Sequence, residues 1–248
     1  MGKILEFQQV RYSYHSMNGE VPALEDVSFH VNEKEFLVIV GPSGCGKSTL
    51  LDLCFGLLQP ESGLITGDTE SIGYMLQKDH LFDWRTIEKN ILLGLEIQHT
   101  LTPETRAYAT ELLKKYGLYD FRKKHPMELS GGMRQRAALI RTLVTKPHLL
   151  LLDEPFSALD YQTRLRVAND IGSIIRQEEK SAILVTHDLS EAISMGDRIL
   201  ILSSRPSRVV RTITLDFDPA LSSIARRETD TFKYYFSELW KEMNQLAH

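Results

Sequence analysis

At 248 residues the chain has room for one large domain, or for a domain carrying a substantial insertion. Hydrophobic residues at 42% and charged residues at 25% are the balance of an ordinary globular protein with a core of useful size. A formal net charge of -4 excludes a chain that is basic throughout and binds nucleic acid by charge, and 2 cysteines, Cys45 and Cys54, exclude a disulfide framework and point to a reducing compartment.

The first residues, MGKILEFQQV, lack the apolar core of a signal peptide, and Glu6 stands where a myristoylation motif needs Ser or Thr. Apolar–polar alternation in ILEFQQV, VSFHV and EFLVIV predicts antiparallel strands leading into one buried strand, Phe36 to Val40. A glycine loop follows, then a helix from about Lys47, a turn at Gln59 to Gly63, and a short strand, SIGYML, leading to Gln77. From about Asp83 the pattern is helical. Thr102 reads as a cap, Pro103 as a first helical residue and Gly117 as a stop, so 83–145 is expected to be a mostly helical insertion. HLLLLDEP predicts a strand buried in a parallel sheet. It is too short to span a bilayer and ends in acids, so the chain is expected to be soluble by itself, with any membrane role coming through a partner. A helix over YQTRLRVANDIGSIIRQ, a strand SAILVTH, a short helix SEAISM, a strand RILIL and an edge strand RVVRTITLDF complete a mainly parallel α/β sheet. In the tail, Phe232, Tyr235, Phe236, Leu239, Met243 and Leu246 fall at helical spacing, which predicts a helix over about 230–246 docked by its apolar face.

GPSGCGKST, Gly41 to Thr49, satisfies G-x-x-x-x-G-K-[ST] between a strand and a helix, the context the motif needs. Its backbone N–H groups, from Gly41, Pro42, Ser43, Gly44, Cys45 and Gly46 onward, are expected to cradle phosphate, apart from proline, which has none. Lys47 is expected to reach the β- and γ-phosphates, Ser48 to supply a hydroxyl to Mg²⁺, and Thr49 to donate near the α-phosphate. Cys45, beside the helix N-terminus, is expected to be more reactive than an ordinary thiol. Asp153, ending LLLLD, is placed to hold Mg²⁺, and adjacent Glu154 to act as general base on an attacking water. His187 ends the following strand, and the C-terminal ends of parallel strands share one edge, so it is expected beside Glu154 and the γ-phosphate.

LSGGMRQR, Leu129 to Arg136, poses a different problem. Ser130, Gly131 and Gly132 open a basic helix, which is how a chain builds an anion site. The phosphate loop already fills that role, and this motif has no lysine. The economical expectation is that it binds the γ-phosphate held by a second copy, so that two chains head to tail bury two ATP molecules between them.

With these motifs in order, the chain resembles the ATP-binding cassette (ABC) ATPases over nearly its whole length. LSGGM is similar to that family's signature motif, with Met133 where Gln is commonest. The resemblance implies a P-loop NTPase with a RecA-like core, an antiparallel β subdomain and an inserted α-helical subdomain, in one domain over 1–248. It implies that Gln77 contacts Mg²⁺, that Ser157 to Asp160 (SALD) cross a dimer interface, that His187 is a switch histidine, and that Tyr14 stacks on adenine, with Tyr12 the competing choice. It further implies ATP and Mg²⁺ as cofactors, a homodimer on ATP binding, and docking on integral membrane permease subunits at the cytoplasmic face. Nucleic acid is not expected. Leu81, Phe82 and Trp84, near Gln77, would receive a short helix of the membrane partner or else pack within the helical insertion.

LFDWRTIEKNILLGLEI and LSSRPSRVV look like the ATPases of nitrate, sulfonate and taurine importers, whose relatives also serve vitamin-precursor uptake. A solute-binding protein is then an indirect partner, and an appended regulatory domain is not expected. The competing readings are an exporter or lipoprotein-release ATPase, and a soluble ABC ATPase outside transport; neither long coiled coils nor a second cassette is visible.

Overall fold

A computed structural model of the chain describes residues 2–17, 19–68 and 71–246. Two long strands, β1 (Lys3–Ser16) and β2 (Gly19–Asn32), pair antiparallel, and a third, β4 (Ser62–Gly67), adds to the other edge of β1. Gln9, at φ 50, sits where the β1–β2 register shifts, and the bulge returns Phe7 and Val10 to the same buried layer. β4 departs from the turn expected at Gln59 to Gly63. Its backbone pairs with β1 although five of its six residues are exposed, so no alternation of hydrophobicity announces it.

The second sheet has six strands in the order β5-β6-β7-β3-β8-β9: β3 (Phe36–Val40), β5 (Ile72–Met75), β6 (Leu149–Asp153), β7 (Ser181–Val185), β8 (Arg198–Leu202) and β9 (Val209–Thr214). The first five run parallel, as the sequence predicts, and β9 takes the expected edge position, pairing antiparallel. All five residues of β3 are buried, because each face of the sheet is covered. Leu37 and Ile39 pack with β1, β2 and α1 (Lys47–Phe55), whereas Phe36, Val38 and Val40 pack on the helical side.

That helical side holds α2 (Ile87–Ile97), α3 (Pro103–Lys115), α4 (Gly131–Leu143), α5 (Tyr161–Gln177), α6 (Leu189–Met195), the single turn α7 (Ser223–Arg226) and α8 (Asp230–Leu246). Thr102 caps α3 in a reciprocal box with Thr105, Pro103 is its first residue, and Leu118 N–H closes its end on the Leu113 carbonyl at 2.8 Å. On α8, Leu239 is fully buried, and Phe232, Tyr235, Phe236, Met243 and Leu246 pack around it, the face expected from their spacing.

Since the strands β3, β6, β7 and β8 are parallel neighbours, the loops after them all emerge at one edge. Those loops begin at Gly41, Glu154, Thr186 and Ser203, and the chemistry is gathered there.

Candidate active site

Gly46 occupies the N-cap of α1 with φ 114, a conformation that a Cβ would oppose. No side chain caps α1, so the N–H groups of its first turn are open to an anion. Lys47, Ser48 and Thr49 line a cavity of about 250 Å³, together with Ser43, Gly44 and Gly46. Glu154 and Arg205 line the same cavity. Lys47 is buried, and its ammonium donates to the carbonyls of Gly41 at 2.9 Å and Pro42 at 3.1 Å. Neutral carbonyls satisfy its hydrogen bonds without cancelling its charge, so the loop keeps a positive centre.

Cys45 is a correction. Its thiol is 1% exposed and packs with Leu37, Ile39 and Leu50, below the loop rather than in the cavity. Only its backbone belongs to the loop, with the N–H on the Pro42 carbonyl at 3.2 Å. The enhanced reactivity expected from its place at a helix N-terminus does not arise, because reagents cannot reach it. Of the two competing tyrosines, Tyr14 is the one whose hydroxyl meets Thr49 Oγ1, at 2.9 Å. Its ring is 40% exposed and edge-on to Tyr12, which packs against the core of the antiparallel layer.

At the end of β6 the backbone breaks. Glu154 takes φ 43, a left-handed conformation that costs a non-glycine residue about 1–3 kcal/mol, and its N–H is held by the Val185 carbonyl at 2.9 Å. The break separates the two adjacent acids. Burial pushes the Asp153 carboxyl above its ordinary value, the Ser48 hydroxyl opposes this, and the nearby charges of Glu154 and Asp52 add to it. Glu154 instead reaches His187, whose Nδ1 lies 3.1 Å from Oε2. Gln77 Nε2 donates to Ser157 Oγ at 3.2 Å, and Ser157 Oγ donates to the Glu154 carbonyl at 3.0 Å, so the segment after β5 is wired to the backbone of the acid.

Ser130 caps α4 by accepting from Met133 N–H, and Asp160 caps α5 by accepting from Thr163 N–H at 3.1 Å. A Cβ on Gly132 would stand 2.7 Å from Val167 Cγ2, so the close approach of α4 to α5 requires glycine there. Ser130, Gly131, Gly132 and Asp160 line a second cavity, of about 920 Å³, which shares no lining residue with the phosphate-loop cavity. The structure thus brings Lys47, Ser48, Asp153, Glu154 and His187 to one place and leaves Ser130 and its glycines at another.

Three relationships had no signal in the sequence. Asp52, one helical turn after Ser48, is a further acid beside Asp153, and it accepts from Tyr74 OH at 3.2 Å. Arg134 Nε meets Asp79 Oδ2 at 3.0 Å, and Arg141 donates to the carbonyls of Asp79 and His80, fastening the segment after Gln77 to α4. Arg205 lies in the SSRP stretch, more than 150 positions from the loop whose cavity it lines, where only the pairing of β3 with β8 brings it.

Leu81 is buried, while the Phe82 and Trp84 rings meet at a tilt with 4.6 Å between centroids and are 38% and 75% exposed. The apolar cluster therefore divides: one residue packs inward and two present rings outward. Among the described residues no helix is long and apolar enough to cross a membrane.

Comparison with known proteins agrees with this geometry. The family model described as ABC transporter matches residues 24–157. The chain is 46% identical to the uncharacterized ABC transporter ATP-binding protein YtlC of Bacillus subtilis (strain 168), covering 98% of this chain and 96% of that one. It is 39% identical to the taurine import ATP-binding protein TauB of Rhizobium johnstonii, covering 92% and 90%. Among solved structures, the dimeric post-hydrolysis state of the ATP-binding cassette MJ0796 bound to ADP and Pi superposes with a TM-score of 0.72 at 29% identity, covering 86% of this chain and all of that one. The chain therefore belongs to the ABC transporter ATPase family, whose cassettes hydrolyse ATP.

Proposed function

We propose that the chain powers the import of a small solute of the nitrate, sulfonate, taurine or vitamin-precursor kind, hydrolysing ATP in a dimer docked on membrane permease subunits. The observation that carries the dimer is the separation of the two cavities: Lys47, Ser48 and Glu154 lie in one, Ser130 and Asp160 in the other. Within one chain neither is a complete site, and a second copy placed head to tail completes both. The importer reading rests on the similarity to TauB and on the resemblance in LFDWRTIEKNILLGLEI and LSSRPSRVV.

In this reading Tyr14 stacks on the adenine, Lys47 and the backbone of Gly41, Pro42, Ser43, Gly44, Cys45 and Gly46 hold the phosphates, and Thr49 donates near the α-phosphate. Gly131 and Gly132, with Ser130, present the α4 N-terminus to the γ-phosphate of the opposite chain, and Asp160 sits at the crossing. Glu154 polarises the attacking water and His187 holds Glu154 in position. The donor set fits Mg²⁺, which prefers a sparse oxygen shell completed by substrate phosphates: a hydroxyl from Ser48, a carboxylate from Asp153 and the Gln77 side chain. That Asp153 is pushed up by burial beside two further carboxylates marks a place where a cation is favourable. When bound, the ion would neutralise charge developing on the phosphates.

The segment 83–145 serves as the helical arm, and the outward rings of Phe82 and Trp84 meet the permease. A solute-binding protein selects the cargo, and the chain works at the cytoplasmic face of the membrane. A tagged chain purified from gently solubilised native membranes is expected to bring down an integral membrane protein; recovery of soluble partners alone overturns the transport reading. Mixing Ser130→Arg chains with Lys47→Ala chains leaves one intact composite site per mixed dimer, so partial recovery of hydrolysis is expected. Full turnover by an isolated monomer overturns the dimer.

A further inference from the structure

The loop between β8 and β9, Ser203 to Arg208, is built against the phosphate loop. β8 lies on the side of β3 away from β7, so this loop flanks the phosphate loop opposite the strands that carry Glu154 and His187. Ser207 is fully buried, and its hydroxyl donates to the Cys45 carbonyl, inside the phosphate loop. Its backbone is held on both sides, with N–H on the Ala23 carbonyl at 2.9 Å and its carbonyl accepting from Glu25 N–H at 2.9 Å. Ser203 N–H closes the loop on the Arg208 carbonyl at 3.0 Å, and Arg208 is paired with Glu25 at 3.0 Å. The loop therefore holds its tip against a fixed part of the phosphate loop.

Arg205 is carried at that tip and lines the phosphate-loop cavity. Unlike Arg208, its guanidinium makes no hydrogen bond or ion pair among the described residues, although Glu154 lines the same cavity. The carboxylate of Glu154 is engaged with His187 instead. The cavity thus holds two cations, Lys47 and Arg205, against one carboxylate, and Arg205, the one without a hydrogen-bond partner among the described residues, is a planar fork suited to phosphate oxygens.

We propose that Arg205 is a phosphate-binding residue of the nucleotide site, held in reach of the phosphate tail of ATP and ADP by the Ser207–Cys45 fastening. The proposal rests on the nucleotide reading of the phosphate loop. Its test is calorimetric titration of the full chain with ATP and with ADP, for wild type, Arg205→Gln, Arg205→Lys and Lys47→Ala. Arg205→Gln is expected to weaken both nucleotides by about tenfold, the worth of one hydrogen bond to a charged group. Arg205→Lys should recover part of the loss by restoring the charge, with the thermal unfolding of the nucleotide-free chain unchanged in either variant. Unchanged affinity in Arg205→Gln, where Lys47→Ala loses affinity, overturns the role of Arg205 alone. So does a variant that binds nucleotide normally but fails only to dimerise, which would make Arg205 an interface residue. Failure of the wild-type chain to bind either nucleotide overturns the nucleotide reading, and this proposal with it.

Discussion

Nδ1 of His187 lies 3.1 Å from Oε2 of Glu154, across neighbouring strand ends separated by 33 positions in the chain. Glu154 makes this contact from a left-handed backbone, directly after the half-buried Asp153. In the proposed function this carboxylate, held by an imidazole and lining the phosphate-loop cavity, is the general base for the attacking water.

Glu154→Gln keeps the shape and the contact with His187 but removes the basic lone pair. Hydrolysis is expected to fall by at least about 10². ATP binding should persist, and a dimer that requires ATP should accumulate and be seen on a sizing column. Wild-type turnover in this variant would end the assignment.

Gly132→Ala tests the contact between α4 and α5. The new methyl would meet Val167 Cγ2 at 2.7 Å, so the helices must shift. Overpacking of this kind costs about 1–3 kcal/mol, measured by urea unfolding. Combined with Val167→Ala, the loss should be smaller than the sum of the two single effects, because the added methyl takes the vacated space. Strict additivity would show that the contact does not exist.

Glu191 sets a pH dependence of stability. Burial raises its carboxyl from 4.5 to about 7, with Asp188 adding to the rise, while the Thr186 hydroxyl, Arg164 and Arg227 oppose it. The folded chain therefore prefers the protonated acid. This contribution is fully present below pH 4.5 and is lost as the pH rises to about 7. Glu191→Gln, which keeps an acceptor for Thr186 Oγ1, should match the wild type at low pH and exceed it by up to about 3 kcal/mol above pH 7. A stability difference that stays constant between pH 5 and pH 8 would contradict the assignment.

Both cysteines should be inert in the native chain. Cys45 and Cys54 are buried, and burial pushes the Cys54 thiol well above its ordinary value. Maleimide labelling followed by mass spectrometry should find neither modified under native conditions and both modified in denaturant. Native labelling of Cys45, prevented by ATP, would restore the reactive thiol that the loop sequence alone suggests.

Much of the site was legible because its chemistry is local. The phosphate loop is nine consecutive residues, its glycines acting through their backbone and its lysine through its ammonium, and the acid pair is two adjacent positions at the end of an otherwise apolar strand. The cap at Thr102 was legible for the same reason, since it satisfies an N–H three residues on; Ser130, read only as part of an anion site, caps α4 in the same way. β4 was not, since an edge strand with exposed side chains is held by backbone bonds to β1 that leave no trace in hydrophobic pattern.

The sequence by itself determined the class of chemistry, because every residue of each motif lies within one turn or strand end. Tertiary structure alone decided which motifs share a cavity. Strand order placed β6, β7 and β8 on either side of β3, and that order is set by long-range pairing rather than by local propensity. Tertiary structure set Arg205 beside the phosphate loop and turned the Cys45 thiol into the core, and it gave distances to the neighbourhood of His187 and Glu154 that strand order in the sequence only suggested.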